Sequence, residues 1–323
     1  YYTLFFLSRV QLTMSESELA QEYATELKTT TLAAVRREWA KVTAMSLDEL
    51  EALTGRSKLG CNIVDHYFFV ERLITVGKKG INFLSFVENI EYYKTKKYIQ
   101  TLLTFCEENN RYADSMLKRY YYIYGLCFGR VNGFKVTNAL AIYKRYNPTR
   151  VLDPFAGFGG RMVSAIMANI EYRGYDLNTY MEASYAQLLD EFSSDGGTKA
   201  SVSFCDSSTI DYEEIAKTYP YDMVFTSPPY KNIEIYRCSE KQTSAWWDEF
   251  YHRVFSGTYS GLAPGGYFVI NINNDVYESS LVPLFGECRE KILLTKTKKN
   301  AYDEYIYTWV KPDTSEFETH SLF

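Results

Sequence analysis

From residue 150 onward, short apolar runs alternate with amphipathic helical stretches, and this alternation narrows the fold more than any other feature. "RVLDPFAG" is an apolar run that ends in a glycine turn. "GRMVSAIMANI" follows as a helix with Met162, Val163, Ile166, Met167 and Ile170 on one face. "EYRGYDLN", "ASVSFCD", "YDMVFT" and "PGGYFVINI" repeat the strand signal. "YMEASYAQLLDEF", "DYEEIAKTY" and "SAWWDEFYHRVFSGTYSGL" are the helices between them. Such alternation builds a parallel sheet through right-handed crossovers. "LVPLFGECREK" reads as one more helix. The end, "KILLTKTKK" then "EYIYTWVK", reads as two strands joined by a polar turn at Asn300, an antiparallel edge pair. The expectation is an α/β chain with a doubly wound, mostly parallel, seven-stranded sheet whose last strand is antiparallel.

Ahead of the sheet the texture is helical. "SESELAQEYATELK" and "TLAAVRREWAKVTAMS" have mixed charge at helical spacing, and "SLDELEAL" carries a serine cap before an acidic first turn. Residues 61–128 read as largely helical, with tyrosines interleaved with Lys and Arg in "EYYKTKKY" and "KRYYYIYG". Residues 1–150 carry 21 basic and 15 acidic side chains, whereas 151–323 carry 14 and 25. Within the first half, 71–150 holds 14 basic and 6 acidic residues, which suits a face for a polyanion as well as a set of solvated helices. The expected organisation is residues 1–13 as a leader or extended reading frame ahead of Met14, 14–130 as a mainly helical region and candidate nucleic-acid reader, and 131–323 as the sheet domain.

Six scattered cysteines form no Cys-x-x-Cys, and the three histidines are scattered too. That argues against a zinc site and against a disulfide framework, so no metal is expected. No run reaches the length of a membrane span, and the apolar start lacks the basic stretch and cleavage site of a signal peptide. The expected setting is intracellular, with reduced thiols and no membrane partner.

The turn "VLDPFAGFGG" sets Asp153 at the end of the first strand, followed by Pro154, Phe155, Ala156, Gly157, Phe158, Gly159 and Gly160. Ligands of doubly wound sheets bind beyond the carboxyl ends of the strands. Glycines let backbone approach a ligand closely. The pattern is not Gly-x-Gly-x-x-Gly, and a carboxylate at the turn would repel a pyrophosphate. A ligand with an ammonium and a sulfonium fits better, which points to S-adenosylmethionine. Asp176, ending the second strand, is placed for the ribose hydroxyls, and Asp206, ending the third, for the adenine amine. Phe134, in "NGFKVTNALAIYKRYNP" before the first strand, is the candidate to complete the pocket, with the core as its equal alternative.

"DPFAGFGG" followed by "TSPPY" resembles the amino-methyltransferases that methylate exocyclic nitrogens of nucleic-acid bases. The wider text, with "GLAPGGYFVINI", is similar to enzymes of phages and large DNA viruses. The resemblance covers about residues 134–310 and implies the class I methyltransferase-like sheet. It also implies S-adenosylmethionine as methyl donor, double-stranded DNA with a flipped base as substrate, and room for a cognate nuclease as partner. An exocyclic base amine is a poor nucleophile, because its lone pair is delocalised into the ring. The resemblance implies that Ser227 and the Pro228 carbonyl accept its two hydrogens, that Pro228 and Pro229 stiffen the turn, and that Tyr230 stacks on the base. Serine at 227 resembles the cytosine-N4 group more than the adenine-N6 group. RNA bases, a protein amide, or a non-catalytic subunit of the same fold are the rival readings.

Beyond the turn, Glu234 and Tyr236 in "NIEIY" would read the base edge or anchor the loop. Trp246 and Trp247 read better as packing under the sheet than as site residues.

Overall fold

The computed structural model describes residues 14–193, 199–294 and 304–313. Seven strands form one sheet in the order β3-β2-β1-β4-β5-β7-β6: β1 Arg150–Asp153, β2 Glu171–Asp176, β3 Ala200–Phe204, β4 Met223–Thr226, β5 Tyr267–Ile272, β6 Glu290–Leu293 and β7 Tyr305–Val310. β1 to β5 are mutually parallel, and β7 runs antiparallel between β5 and β6. This is the strand order of the class I methyltransferase fold. The final hairpin is inserted with β7 inward and β6 at the edge. Its polar turn at Asn300 lies outside the described residues.

Each parallel step is closed by a helix. Gly160–Met167 joins β1 to β2, Glu182–Phe192 leads to β3, Tyr212–Thr218 to β4, and Ser244–Gly261 to β5. β4 is buried at all four positions and β5 at five of six, as expected of central strands covered on both faces. The helical stretch before β6 differs from the expected 281–291. It starts at Asn274, where the Asn273 side chain accepts from Val276 N at 2.9 Å, and ends at Phe285, because Gly286 takes φ +73.

The described residues divide into two compact units. One comprises residues 14–31, 68–132 and 232–240. Its core joins Ala20, Tyr23, Phe69, Leu73, Phe83, Phe86, Ile99, Ile123 and Tyr124, with edge-on ring pairs such as Phe83–Tyr121 at 5.1 Å. Ser15 opens its first helix with a reciprocal capping box to Glu18. The returning segment 232–240 is held by a bridge between Val76 and Ile235 and by the Arg237–Glu71 ion pair.

The other unit comprises 32–67, 133–231 and the described residues from 241 onward. It holds the sheet together with the helices Leu32–Thr43 and Leu47–Glu51. The serine cap read at Ser46 is present: its hydroxyl accepts from Glu49 N at 3.2 Å, and Glu49 accepts from Ser46 N at 2.7 Å. Trp39 stacks on Phe192 at 4.0 Å, and the Tyr67 hydroxyl donates to Glu191 at 2.6 Å.

Candidate active site

The two sequence turns lie at the carboxyl ends of β1 and β4, which are neighbours in the sheet. Chain order reverses between these strands, since β1 leads outward to β2 and β3, and β4 leads the other way to β5. Ligands of open α/β sheets bind at such switch points.

The glycine turn is built on a buried carboxylate. Asp153 is fully buried, and its oxygens accept from Arg161 Nε at 2.7 Å, the Tyr172 hydroxyl at 2.6 Å, the Thr226 hydroxyl at 2.7 Å and Phe155 N at 3.1 Å. It therefore lies beneath the turn as its scaffold, not on the surface a cofactor would reach. The reason is Arg161, one residue into the helix, which is itself buried and also donates to the Phe155 carbonyl. Burial, then the Asp153 charge, holds the Tyr172 phenol well above its ordinary pKa, so it stays a donor.

Above that scaffold, Gly157 and Gly159 take φ +59 and +73, which glycine adopts without strain. Gly157 N donates to Asp176 at 2.7 Å, and its carbonyl accepts from the Tyr185 hydroxyl at 2.7 Å. A Cβ on Gly160 would collide with the Phe134 carbonyl oxygen, so the 134 backbone passes directly over the helix start. The Phe134 ring meets Phe225 edge-on at 5.5 Å, with the Arg161 guanidinium 5.3 Å away. Pro154, Ala156 and Phe158 are buried, and Phe155 packs against Phe250 at 5.6 Å. The Pro154 carbonyl accepts from Ser207.

Asp176 ends β2 half-buried, accepting Gly157 N on one oxygen and Asn178 N, at 2.8 Å, on the other. Burial pushes its carboxyl up to about 6, against the pull of those two N–H bonds. Asp206 follows β3 and accepts Ser208 N and Oγ, each at 2.8 Å, through one oxygen.

At the end of β4, Ser227 Oγ donates to Asn271 Oδ1 at 3.1 Å and lies 3.3 Å from the Tyr230 hydroxyl. Tyr230 donates to Asn271 Oδ1 at 2.8 Å, with Glu304 Oε1 at 3.2 Å. The Tyr251 hydroxyl donates to the Pro229 carbonyl at 2.6 Å and accepts from Lys231 N at 3.0 Å, stapling the turn from below. Among the described residues the Pro228 carbonyl accepts no hydrogen bond. Lys231 closes the turn at φ +51, a left-handed conformation that costs a lysine about 1 kcal/mol or more.

Arg161, Tyr172, Thr226, Tyr251 and Asn271 escaped the sequence reading. Two carried a signal. Arg161 stands alone among apolar helix positions, and Asn271 interrupts the apolar strand "YFVINI". Buried polar groups of that kind need partners. In its own unit, Glu234 accepts from the Tyr236 hydroxyl, two residues along the same loop, at 2.6 Å. Trp247 is buried against Tyr251, whereas Trp246 is exposed and stacks on Phe250 at 4.9 Å. Among the described residues no group of His, Cys, Asp and Glu is arranged to hold a metal, and no helix is long and apolar enough to cross a membrane.

No curated protein matches the chain. Among solved structures, TrmN from Thermus thermophilus is 16% identical over 55% of this chain and 48% of its own, with a TM-score of 0.38. TehB from Haemophilus influenzae is 12% identical over 59% and 66%, with a TM-score of 0.39. An RNA methyltransferase from Salinibacter ruber, in complex with S-adenosyl-L-homocysteine, is 12% identical over 56% and 94%, with a TM-score of 0.37. The chain thus spans about half the length of TrmN and just under two thirds of TehB. Residues 221–321, which hold the Ser-Pro-Pro-Tyr turn and the last strands of the sheet, match the family described as DNA methylase, the amino-methyltransferases of the N6 and N4 type.

Proposed function

We propose that this chain transfers a methyl group from S-adenosylmethionine to the exocyclic amine of a DNA base, with cytosine N4 as the first choice. The observation that carries the reading is the adjacency of the two turns at the switch point, joined by the Thr226–Asp153 hydrogen bond. The match of residues 221–321 to the DNA methylases supports the base amine as target.

The residues at the glycine turn fit the cofactor. Gly157 and Gly159 present bare backbone, and Asp176 and Asp206 keep lone pairs beyond the bonds already made, suited to hydroxyls and an amine. Arg161, the cation nearest in sequence, is committed to Asp153, so the turn offers no charge for a pyrophosphate. In this reading Asp176 holds the ribose, Asp206 the adenine amine, and the backbone of 154–160 the amino-acid end. Phe134 borders the helix start. When bound, S-adenosylmethionine supplies an electrophilic methyl on a sulfonium.

Ser227 Oγ and the Pro228 carbonyl accept the two hydrogens of the target amine and turn its lone pair out of conjugation. Pro228 and Pro229 contribute no N–H that would compete. Tyr230 offers its ring to the base while its hydroxyl stays tied to Asn271. The chain's contribution is alignment for in-line displacement. The other unit carries exposed Tyr92 and Tyr98 among Lys94, Lys96 and Lys97, with Lys96 4.1 Å over the Tyr92 ring, which supports a phosphate-contacting role in target recognition.

The test is incubation with methyl-labelled S-adenosylmethionine and unmethylated genomic DNA, followed by nucleoside mass spectrometry. N4-methylcytosine is expected, with kcat down about 100-fold in Ser227→Ala through loss of an acceptor at the reacting amine. N6-methyladenine would replace the base and keep the chemistry. Label in RNA and none in DNA would overturn the substrate.

A further inference from the structure

Serine is an ambiguous residue to face an amine, because its hydroxyl both donates and accepts. A proton aimed at the target nitrogen would oppose the lone pair that must attack. An aspartate lacks that ambiguity. This chain needs somewhere to send the Ser227 proton, and the network under the turn provides it.

Asn271 is 1% exposed, one residue from the carboxyl end of β5. Its amide orientation is fixed, since Nδ2 donates to the Tyr305 carbonyl at 2.9 Å and so turns Oδ1 toward the Ser-Pro-Pro-Tyr turn. Ser227 Oγ donates to that Oδ1 at 3.1 Å. The other group hydrogen-bonded to the hydroxyl among the described residues, the Tyr230 phenol at 3.3 Å, has nearer acceptors for its own proton in Asn271 Oδ1 and Glu304. Both hydroxyl protons are thus drawn inward. Among the described residues, no donor other than that phenol lies within hydrogen-bonding distance of the Ser227 Oγ lone pairs.

We propose that Asn271 is a positioning residue that draws off the Ser227 hydroxyl proton, making Ser227 a pure acceptor for the incoming amine. The proposal rests on the methyl-transfer reading above. It assigns Asn271 no contact with the base or the cofactor. Its effect belongs to the step in which the amine is aligned, and cofactor affinity should not sense it.

The test compares Asn271→Val with Asn271→Thr, two β-branched residues of one shape that differ by a hydroxyl and suit a strand. The readouts are kcat, KM for DNA, and the Kd of S-adenosylmethionine by calorimetry. Asn271→Val is expected to lower kcat about tenfold, the scale of one hydrogen bond, with cofactor Kd unchanged. Asn271→Thr, which restores an acceptor, is expected to recover most of kcat. Equal losses in both variants, or a Val variant with wild-type kcat, would overturn the role of Asn271 and leave the methyl-transfer reading intact. A wild-type chain that binds the cofactor and methylates no base amine would overturn both.

Discussion

Thr226 Oγ1 donates to Asp153 Oδ1 at 2.7 Å, so the residue just before Ser227 is hydrogen-bonded to the carboxylate that carries the glycine turn. The two halves of the candidate site are therefore fixed to one buried group. Thr226→Val keeps the shape and removes the donor. Stability should fall by about 1–3 kcal/mol in urea denaturation, the scale of a bond to a charged group. kcat should fall more than cofactor affinity, because the spacing of the turns changes while Gly157 and Asp176 keep their bond.

Removing the cation beneath the turn is more severe. Arg161→Met leaves Asp153 buried at 0% exposure without its ion partner. The expected loss is about 3–5 kcal/mol. A chemical denaturation curve within 1 kcal/mol of wild type would show that the Asp153–Arg161 pair does not hold the turn.

Asp176 gives the site a pH dependence. Its carboxyl is raised from 3.8 to about 6 by burial, so the folded chain holds that proton more tightly than the unfolded chain does. Its contribution to folding stability is then fully present below 3.8 and lost as pH rises through about 6. Cofactor affinity runs the other way. In the proposed reading Asp176 holds the ribose, and an ionised carboxylate accepts from hydroxyls more strongly than a neutral one, so affinity should rise with pH through about 6 and level off above it. Calorimetry from pH 5 to 8 should show this rise in wild type and none in Asp176→Asn, which should also bind roughly 10- to 100-fold more weakly at pH 8.

Gly160→Ala tests the close passage of residue 134. The added methyl would strike a carbonyl oxygen, which cannot swing aside as a flexible side chain would. A loss of about 2 kcal/mol or more is expected in thermal or urea melts. Unchanged stability would mean that the segment before β1 does not pack on this helix in solution.

The strand–helix alternation made the sheet legible, because apolar runs of strand length between amphipathic stretches have few other solutions. The polar groups under the turns were harder. Asp153 stands where a ligand-binding acid would stand, and only Arg161, Tyr172 and Thr226, brought in from three other elements, show it to be taken. Pairings across 19 and 73 residues leave no local trace in a sequence. Tyr251 likewise reads as one more aromatic on a helix, and its hydroxyl gains meaning only when Pro229 and Lys231 fold over it.

The helices of 32–67 belong with the sheet, and the strip 232–240 leaves it again one residue past the turn. Primary sequence order and three-dimensional membership are thus interleaved, and neither unit is a continuous stretch of chain. Cutting the gene near residue 130 to obtain a minimal catalytic fragment would discard Trp39 and Tyr67, and with them the stacking on Phe192 and the bond to Glu191. Exchange of either unit, by recombination or by design, would require several junctions in register at once.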